Sequence, residues 1–496
     1  MPKTPRPKDR TGGRTTDRKP GRDKPGRDRT DRVKPDRAKP DRAQPDRAGA
    51  ERPKSSRPPG RGPARGPVPL PLGVLLGAAA ALLEAMAESP RGADRVAADW
   101  FRTHDRLDGG PRGPIMERVE AVLRHGPQLD WWIGTILRDV EPTTKLRLIT
   151  AHILVHERPI DRLLAALVTP EPQEQKLIRG LETRTLLHPH MPLSVRAGIP
   201  DWLIPRVEAA FGPQAEREFT AQLAPPAVDL RVNTLKLDRK KALAVLERQD
   251  LHPRPTPLSP LGIRLSPRTD IGRIPALQDG LVEVQDEGSQ IAALLVDARP
   301  GQQVIDFCAG AGGKALVMAA QMKNKGHLAA LDVHEKRIAR ARQRLKRAGA
   351  ENAEARVTEA KWLRKQAGRA DRVLVDAPCT GTGTWRRNPD ARWRLREQDI
   401  IELLPLQAEI LDQAATLVKP GGRLVYATCS LLPEENERQV ESFLARHEGF
   451  RILSVADLWP ATVGGAAPSP GAMLHLSPAR HGTDGFFVAV LERAAP

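Results

Sequence analysis

The chain has 496 residues, 79 Lys+Arg against 61 Asp+Glu, a formal net charge of +18 and three cysteines. At roughly 150 residues per domain, that length suggests about three domains. Forty per cent hydrophobic residues suffices for sizeable cores and excludes wholesale disorder. Three cysteines exclude a disulfide scaffold and point to a reducing compartment.

The basic excess is uneven. Residues 1–66 hold 22 Lys/Arg and 9 Asp/Glu, a net of +13, which leaves +5 for the other 430 residues. They also hold 12 of the 47 prolines and, apart from Met1 and Val33, no large apolar residue. Such a segment cannot bury enough surface to offset the entropy of ordering it, so residues 1–67 are expected to be a disordered basic tail. The repeat Asp31-Arg-Val-Lys-Pro, Asp36-Arg-Ala-Lys-Pro, Asp41-Arg-Ala-Gln-Pro forbids continuous helix. The tail reads either as an electrostatic arm for RNA phosphates or as a solubiliser.

Residues 68–83 carry no charge. The stretch is shorter than the ~20 residues a membrane span needs and contains Pro69 and Pro71. It predicts a first core helix, with no signal peptide, no membrane and a cytoplasmic protein. From 68 to 175 the pattern is helical throughout. Leu75, Leu76, Ala79, Leu82, Leu83 and Met86 form one stripe, and blocks around Trp100-Phe101, 115–123, Trp131-Trp132 and 146–154 follow. These aromatics read as core. Residues 176–220 are punctuated by Pro and His, with His188, Pro189 and His190 expected in a loop. His188 and His190 lack a third metal ligand nearby.

The segment 176–280 is expected to be a linker and a small α/β subdomain. Asp229–Lys236 and Leu261–Leu265 read as strands around a helix at Lys240–Gln249. From 281 to 496 apolar strands alternate with helices: Val304–Phe307, His327–Asp332, Arg372–Asp376 and Arg423–Thr428 as strands, Lys314–Met322 and Lys336–Ala348 as helices. Gly349 would cap the last of these. This alternation predicts a doubly wound, largely parallel sheet. The basic helix from Arg337 to Arg347 reads as a solvated face.

Two constellations carry chemistry. In Asp306-Phe-Cys-Ala-Gly310-Ala-Gly312-Gly313-Lys314, glycines between strand and helix let backbone approach a ligand. A P-loop fails here, because Cys308 and Ala315 stand where Gly and Ser/Thr are required. Gly310, Gly312, Ala315 and Asp332 suit a dinucleotide fold and a methyltransferase equally. The second constellation is Asp376-Ala-Pro378-Cys379-Thr-Gly381-Thr-Gly383 with Ala427-Thr428-Cys429-Ser430, at the ends of two strands. If those strands are neighbours, both thiols converge on one pocket with Asp376 between them. That set suits covalent chemistry on a cytosine. Thiolate attack at C6 makes C5 nucleophilic, a carboxyl group supports N3, and a base then removes the C5 proton. The three cysteines lie 71 and 50 residues apart with no CxxC, which excludes zinc. Cys308 reads as a buried structural thiol.

The run Asp376-Ala-Pro-Cys-Thr-Gly-Thr-Gly-Thr-Trp-Arg-Arg-Asn-Pro-Asp390, with Tyr426-Ala-Thr-Cys-Ser430 and Pro433-Glu-Glu-Asn436, resembles the RsmB/Nop/Sun family of RNA 5-methylcytosine methyltransferases. Gln285–Gln290 and Arg231-Val-Asn233 extend the resemblance over about 225–493. The helical block is similar in place and character to a NusB-like RNA-binding domain. The resemblance implies an α/β fold: a Rossmann-like class I methyltransferase domain, preceded by a ferredoxin/RRM-like subdomain and an all-α NusB-like domain. It implies S-adenosylmethionine as donor, Cys429 as nucleophile, Cys379 as the group aiding product release and Asp376 as support for the base. The donor would be lined by Asp306, Cys308, Ala309, Gly310, Gly312, Gly313, Lys314, Asp332, Arg337, Glu359, Asp376 and Pro378, with Asp332 on the ribose. RNA would be met by Arg231, Asn233, Arg386 and Arg387, with Trp385 and Trp393 beside them.

Two departures stand out. The usual Ala-Pro-Gly-Gly-Lys-Thr reads Gly310-Ala-Gly-Gly-Lys-Ala315, and Glu359 stands where an Asp often contacts adenine. The expected activity is methylation of cytosine C5 in ribosomal RNA by a monomeric enzyme without metal. The same chemistry on tRNA is one rival, and a non-catalytic RNA-binding or assembly factor is another. A nicotinamide dehydrogenase leaves the paired cysteines unexplained.

Overall fold

The computed structural model describes residues 70–104, 112–167, 169–267 and 269–495. The tail read at 1–67 therefore lies outside the described residues, except that the helical region is described from Leu70. Six helices open the described chain: Leu72–Ala87, Ala93–Thr103, Arg112–Leu137, Thr144–Leu154, Ile160–Leu167 and Pro172–Leu181. The expected stripe faces inward, with Leu75, Ala79, Leu82, Leu83 and Met86 buried against Ile115, Val119, Leu129 and Leu148. Thr143 caps the fourth helix, its hydroxyl accepting from the Leu146 N–H at 3.2 Å. Among the described residues no helix is long and apolar enough to cross a membrane.

Helix does not stop at 175. Leu193–Ala197, Ile204–Phe211 and Ala215–Thr220 are short helices in the stretch expected to be linker. Each is eight residues or fewer, too short to print a period. Pro205 sits in the first turn of the second, where its missing N–H costs nothing.

A small antiparallel sheet follows: β1 (Val228–Val232), β2 (Arg254–Pro255), β3 (Gly262–Leu265) and β4 (Val282–Val284), in the order β2-β3-β1-β4. The helix Arg239–Glu247 packs Ala242 and Leu246 on Leu230, Val232 and Ile263. The fourth strand lies beyond residue 280, so this sheet reaches into the segment expected to open the next domain.

The large sheet holds β5 (Gln303–Asp306), β6 (His327–Asp332), β7 (Ala353–Val357), β8 (Ala370–Asp376), β9 (Val418–Thr428), β10 (Phe450–Leu453), β11 (Leu474–Leu476) and β12 (Phe486–Arg493). Its order is β10-β12-β9-β8-β5-β6-β7, with β11 on β12. The five strands from β9 to β7 are parallel, and β12 runs antiparallel between β9 and β10. Alternate residues feed two cores. Val304, Leu328, Leu374, Val425 and Val488 face the helices Glu287–Leu294, Gly313–Gln321 and Glu335–Ala348. Ile305, Ala329, Val373, Val375, Tyr426 and Phe487 face Glu397–Ala415 and Glu437–Arg446. Burial on both faces explains why these strands read as continuous apolar runs.

The basic helix 335–348 is only partly a solvated face. Arg344 and Arg347 both pair with Glu283 of β4, which is 3% exposed, and Arg344 also donates to the Ala311 carbonyl at 2.9 Å. Gly349 takes the left-handed conformation expected of its cap, φ 74°. The helix thus clamps the small sheet to the glycine turn.

Candidate active site

β8 and β9 are parallel neighbours, with Val375 opposite Tyr426 and Asp376 opposite Ala427. Their loops leave the same edge of the sheet and bring Cys379 Sγ to 3.4 Å from Cys429 Sγ. From the next strand over, Lys314 at the start of the 313–321 helix donates through Nζ to Asp376 Oδ2 at 2.6 Å. Its ammonium also lies 5.2 Å from the centre of the Phe486 ring. Burial pulls the Lys314 ammonium down, but Asp376 outweighs it, so Lys314 stays charged above its ordinary range. The Cys379 thiol is pushed well up, first by its contact with Cys429 and then by burial. Cys308 turns away into the opposite core, and burial pushes its thiol up and out of nucleophile range.

The glycine turn after β5 is built by hydrogen bonds from below. Ala309 N–H donates to the Leu331 carbonyl at 2.7 Å, and Gly310 N–H donates to Asp332 Oδ2 at 3.0 Å. Asp332 Oδ1 accepts from His334 N–H at 2.8 Å, and Arg337 lies 3.5 Å from its other oxygen. Gly310 and Gly312 have φ of 55° and 81°, and a Cβ on Gly310 would meet nothing within 4 Å. Asp306, at the base of the turn, is fully buried with neither oxygen in a well-formed hydrogen bond. Burial, with the charge of Asp376 added, lifts its carboxyl to about 8. Asp376 thus pairs with Lys314 and Asp332 with Arg337, while buried Asp306 has no ion-pair partner among the described residues, beside an open glycine turn. That donor set fits a ligand carrying positive charge, as a sulfonium with an α-amino group does. Glu359 stands just after β7, largely exposed, 4.0 Å from Arg356. Among the described residues no cluster of three metal-ligating side chains occurs.

Of the four residues assigned to RNA contact, Arg231, Asn233 and Arg386 are buried and Arg387 is half-buried. Arg386 and Arg387 both pair with Asp286 and Asp484, a neutral four-charge cluster. Arg386 is 7% exposed, and Trp385 is fully buried beside it. Arg231 is 2% exposed on β1, facing Glu283, and burial lowers its guanidinium to about 10. Asn233 donates to the Gly280 and Ala348 carbonyls at 2.8 and 2.9 Å, tying the small sheet to the end of the 335–348 helix. Arg386, Arg387 and Asn233 have internal hydrogen-bond partners, whereas Arg231 Nε is buried without one. Trp393 is the most exposed of that group, and its indole N–H donates to the Leu123 carbonyl at 3.0 Å.

Residues not singled out carry much of the framework. Asp286 caps the 287–294 helix through Gly288 N–H at 2.8 Å and accepts from Asp484 N–H as well. Glu435 and Gln407 meet both cysteine loops, Gln407 through the Pro378 carbonyl at 2.9 Å. The motif Pro433–Asn436 was visible in the sequence, but no spacing rule connects it to Thr380. Gln222, shortly before β1, accepts from Trp385 N–H and donates to the Thr382 carbonyl at 2.8 Å. Arg124 donates to the Arg386 carbonyl at 2.8 Å.

Comparison with known proteins agrees with this layout. The family described as 16S rRNA methyltransferase RsmB/F matches residues 293–492, and the ferredoxin-like domain of RsmF/B-like methyltransferases matches 199–272. Ribosomal RNA small subunit methyltransferase B of Yersinia pseudotuberculosis is 33% identical over 402 residues, which cover 76% of this chain and 90% of that protein. Its namesake in Photorhabdus laumondii is 31% identical over 404 residues, covering 77% and 90%. Among solved structures, PH0851 aligns with a TM-score of 0.69 at 28% identity, covering 86% of this chain and all of that one. A methyltransferase homolog protein from Pyrococcus horikoshii aligns at 0.53 and 29% identity, covering 62% and all of it. The chain belongs to the RsmB/F family of 16S rRNA methyltransferases, whose methyl donor is S-adenosylmethionine.

Proposed function

We propose that the protein methylates C5 of a cytosine in small-subunit ribosomal RNA through a covalent cysteine–cytosine adduct. The observation that carries this reading is the pair of thiols 3.4 Å apart, beside the Lys314–Asp376 ion pair, at the ends of neighbouring strands. Cys429, the thiol of the Thr428-Cys-Ser430 motif, attacks. Its thiolate bonds to C6, and the C5=C6 electrons move to C5. Asp376, held by Lys314, supports N3 as charge develops there. S-adenosylmethionine supplies the electrophilic methyl and would lie along the glycine turn, over Asp306 and against Asp332. Loss of the C5 proton to a base restores the double bond and expels Cys429 as thiolate. Cys379, facing the same carbon–sulfur bond, assists that release.

The names of the relatives favour small-subunit rRNA over tRNA as substrate. The helical region 68–175 is read as the NusB-like RNA-binding module, and Arg124 ties it to the loop that follows Cys379. The test is methylation of small-subunit rRNA with labelled donor, followed by mapping of 5-methylcytosine. Cys379→Ala is expected to accumulate a denaturant-resistant RNA adduct, and Cys429→Ala to form none. The opposite pattern would exchange the two roles. Absence of transfer to any cytosine would end the reading.

A further inference from the structure

We propose that Glu435 is the positioning residue that sets the two thiols in register; this rests on the covalent reading above. Glu435 is fully buried in the turn that follows β9. Its Oε1 accepts from the Thr380 backbone N–H at 2.8 Å and from the Gln407 side-chain amide at 3.0 Å. Its Oε2 accepts from the Thr380 hydroxyl at 2.5 Å and from the Ser430 hydroxyl. Thr380 is the residue after Cys379, and Ser430 is the residue after Cys429. One carboxylate therefore grips the chain immediately beyond each thiol.

The chemistry of this choice is informative. Among the described residues no Lys, Arg or His pairs with Glu435, so a carboxylate has been buried on neutral donors alone. That is an expensive way to brace two loops. What it supplies is stiffness, because hydrogen bonds to an ionised acceptor are shorter and stronger than neutral ones. Two thiols that act on the same carbon–sulfur bond need that stiffness, since reacting groups tolerate only about 0.5 Å of error. Glu435 does a second thing. After the Cys429 contact and burial, its charge adds to the forces that keep Cys379 protonated.

The test compares Glu435→Gln and Glu435→Ala in the full chain, each alone and combined with Cys379→Ala. Gln can keep the framework, because its amide can face the two hydroxyls, which also accept. Glu435→Gln is expected to melt like wild type and to bind S-adenosylmethionine within twofold of wild type. Its kcat should fall at least tenfold with KM for rRNA little changed. The alkaline limb of the kcat profile should move to lower pH as Cys379 loses a neighbouring charge. Adduct formation in the Cys379→Ala background should slow by a similar factor, and Glu435→Ala should be slower still. Equal adduct rates with and without Glu435→Gln overturn the proposal alone. So does a kcat loss matched by lost donor binding. Absence of any adduct in Cys379→Ala itself overturns the covalent reading, and the proposal with it.

Discussion

Asp306 shows how single side chains in this site answer to burial. Its carboxyl is lifted to about 8 because water is excluded around it and Asp376 adds like charge. The folded state therefore holds the proton more tightly than the unfolded chain, where the ordinary value is 3.8. The stability this group contributes is full below about pH 4 and is lost as pH rises through about 8. Asp306→Asn removes that loss. In a thermal-denaturation series, its melting temperature relative to wild type should climb between pH 4 and 8 and level off above. A difference that stays flat would mean that Asp306 is ionised throughout. The same scale explains what the sequence could not tell. Cys379, Cys429, Asp376 and Lys314 could be grouped because each ends a strand or opens a helix that the apolar pattern had already located. Arg386 and Arg387 looked like free cations because their counter-ions, Asp286 and Asp484, lie about a hundred residues away in either direction.

At the scale of elements, the loop carrying Cys379 is set by a crossing of two backbones. Gly383 donates to the Cys429 carbonyl at 2.9 Å and accepts from Gly485 N–H at 2.8 Å. A Cβ on Gly383 would sit 2.5 Å from the Gly485 carbonyl oxygen and 2.6 Å from its Cα, so only backbone could yield. Gly383→Ala should therefore cost about 1–3 kcal/mol of stability, the range for forced overpacking. It should lower kcat by at least tenfold, because the movement falls on the Cys379 and Cys429 loops together. Melting curves and the rate of methyl transfer at saturating donor check both parts; full activity would mean that the crossing can open freely. The strands that meet at this crossing were legible, since strands buried on both faces read as continuous apolar runs. The three short helices between 193 and 220 were not, because five to eight residues hold too few turns to print a stripe. β4 was missed for the same reason, at three residues.

For the molecule as a whole, the question is where attraction for RNA resides. The described part turns many of its cations inward. Arg231, Arg344, Arg347, Arg386 and Arg387 face Glu283, Asp286 or Asp484. Exposed cations remain, among them Arg337 and Arg396, yet the chain beyond residue 66 carries a net charge of only +5. The other +13 lies in residues 1–66. Long-range attraction for phosphate follows net charge, whereas docking of a single target nucleotide follows the local shape of the site that receives it. These two contributions should separate on truncation. Each phosphate contact released contributes about −0.7 to the slope of log K against log salt for a single strand. Removing residues 1–66 should therefore flatten that slope by several contacts' worth, while the affinity for S-adenosylmethionine and the rate at saturating RNA stay unchanged. Binding of rRNA measured between low and physiological salt, with both chains side by side, gives the answer. An unchanged slope would mean that Lys and Arg in this segment are balanced locally by its interspersed Asp residues, leaving it a solubilising extension, and that the exposed cations of the folded part alone attract the RNA.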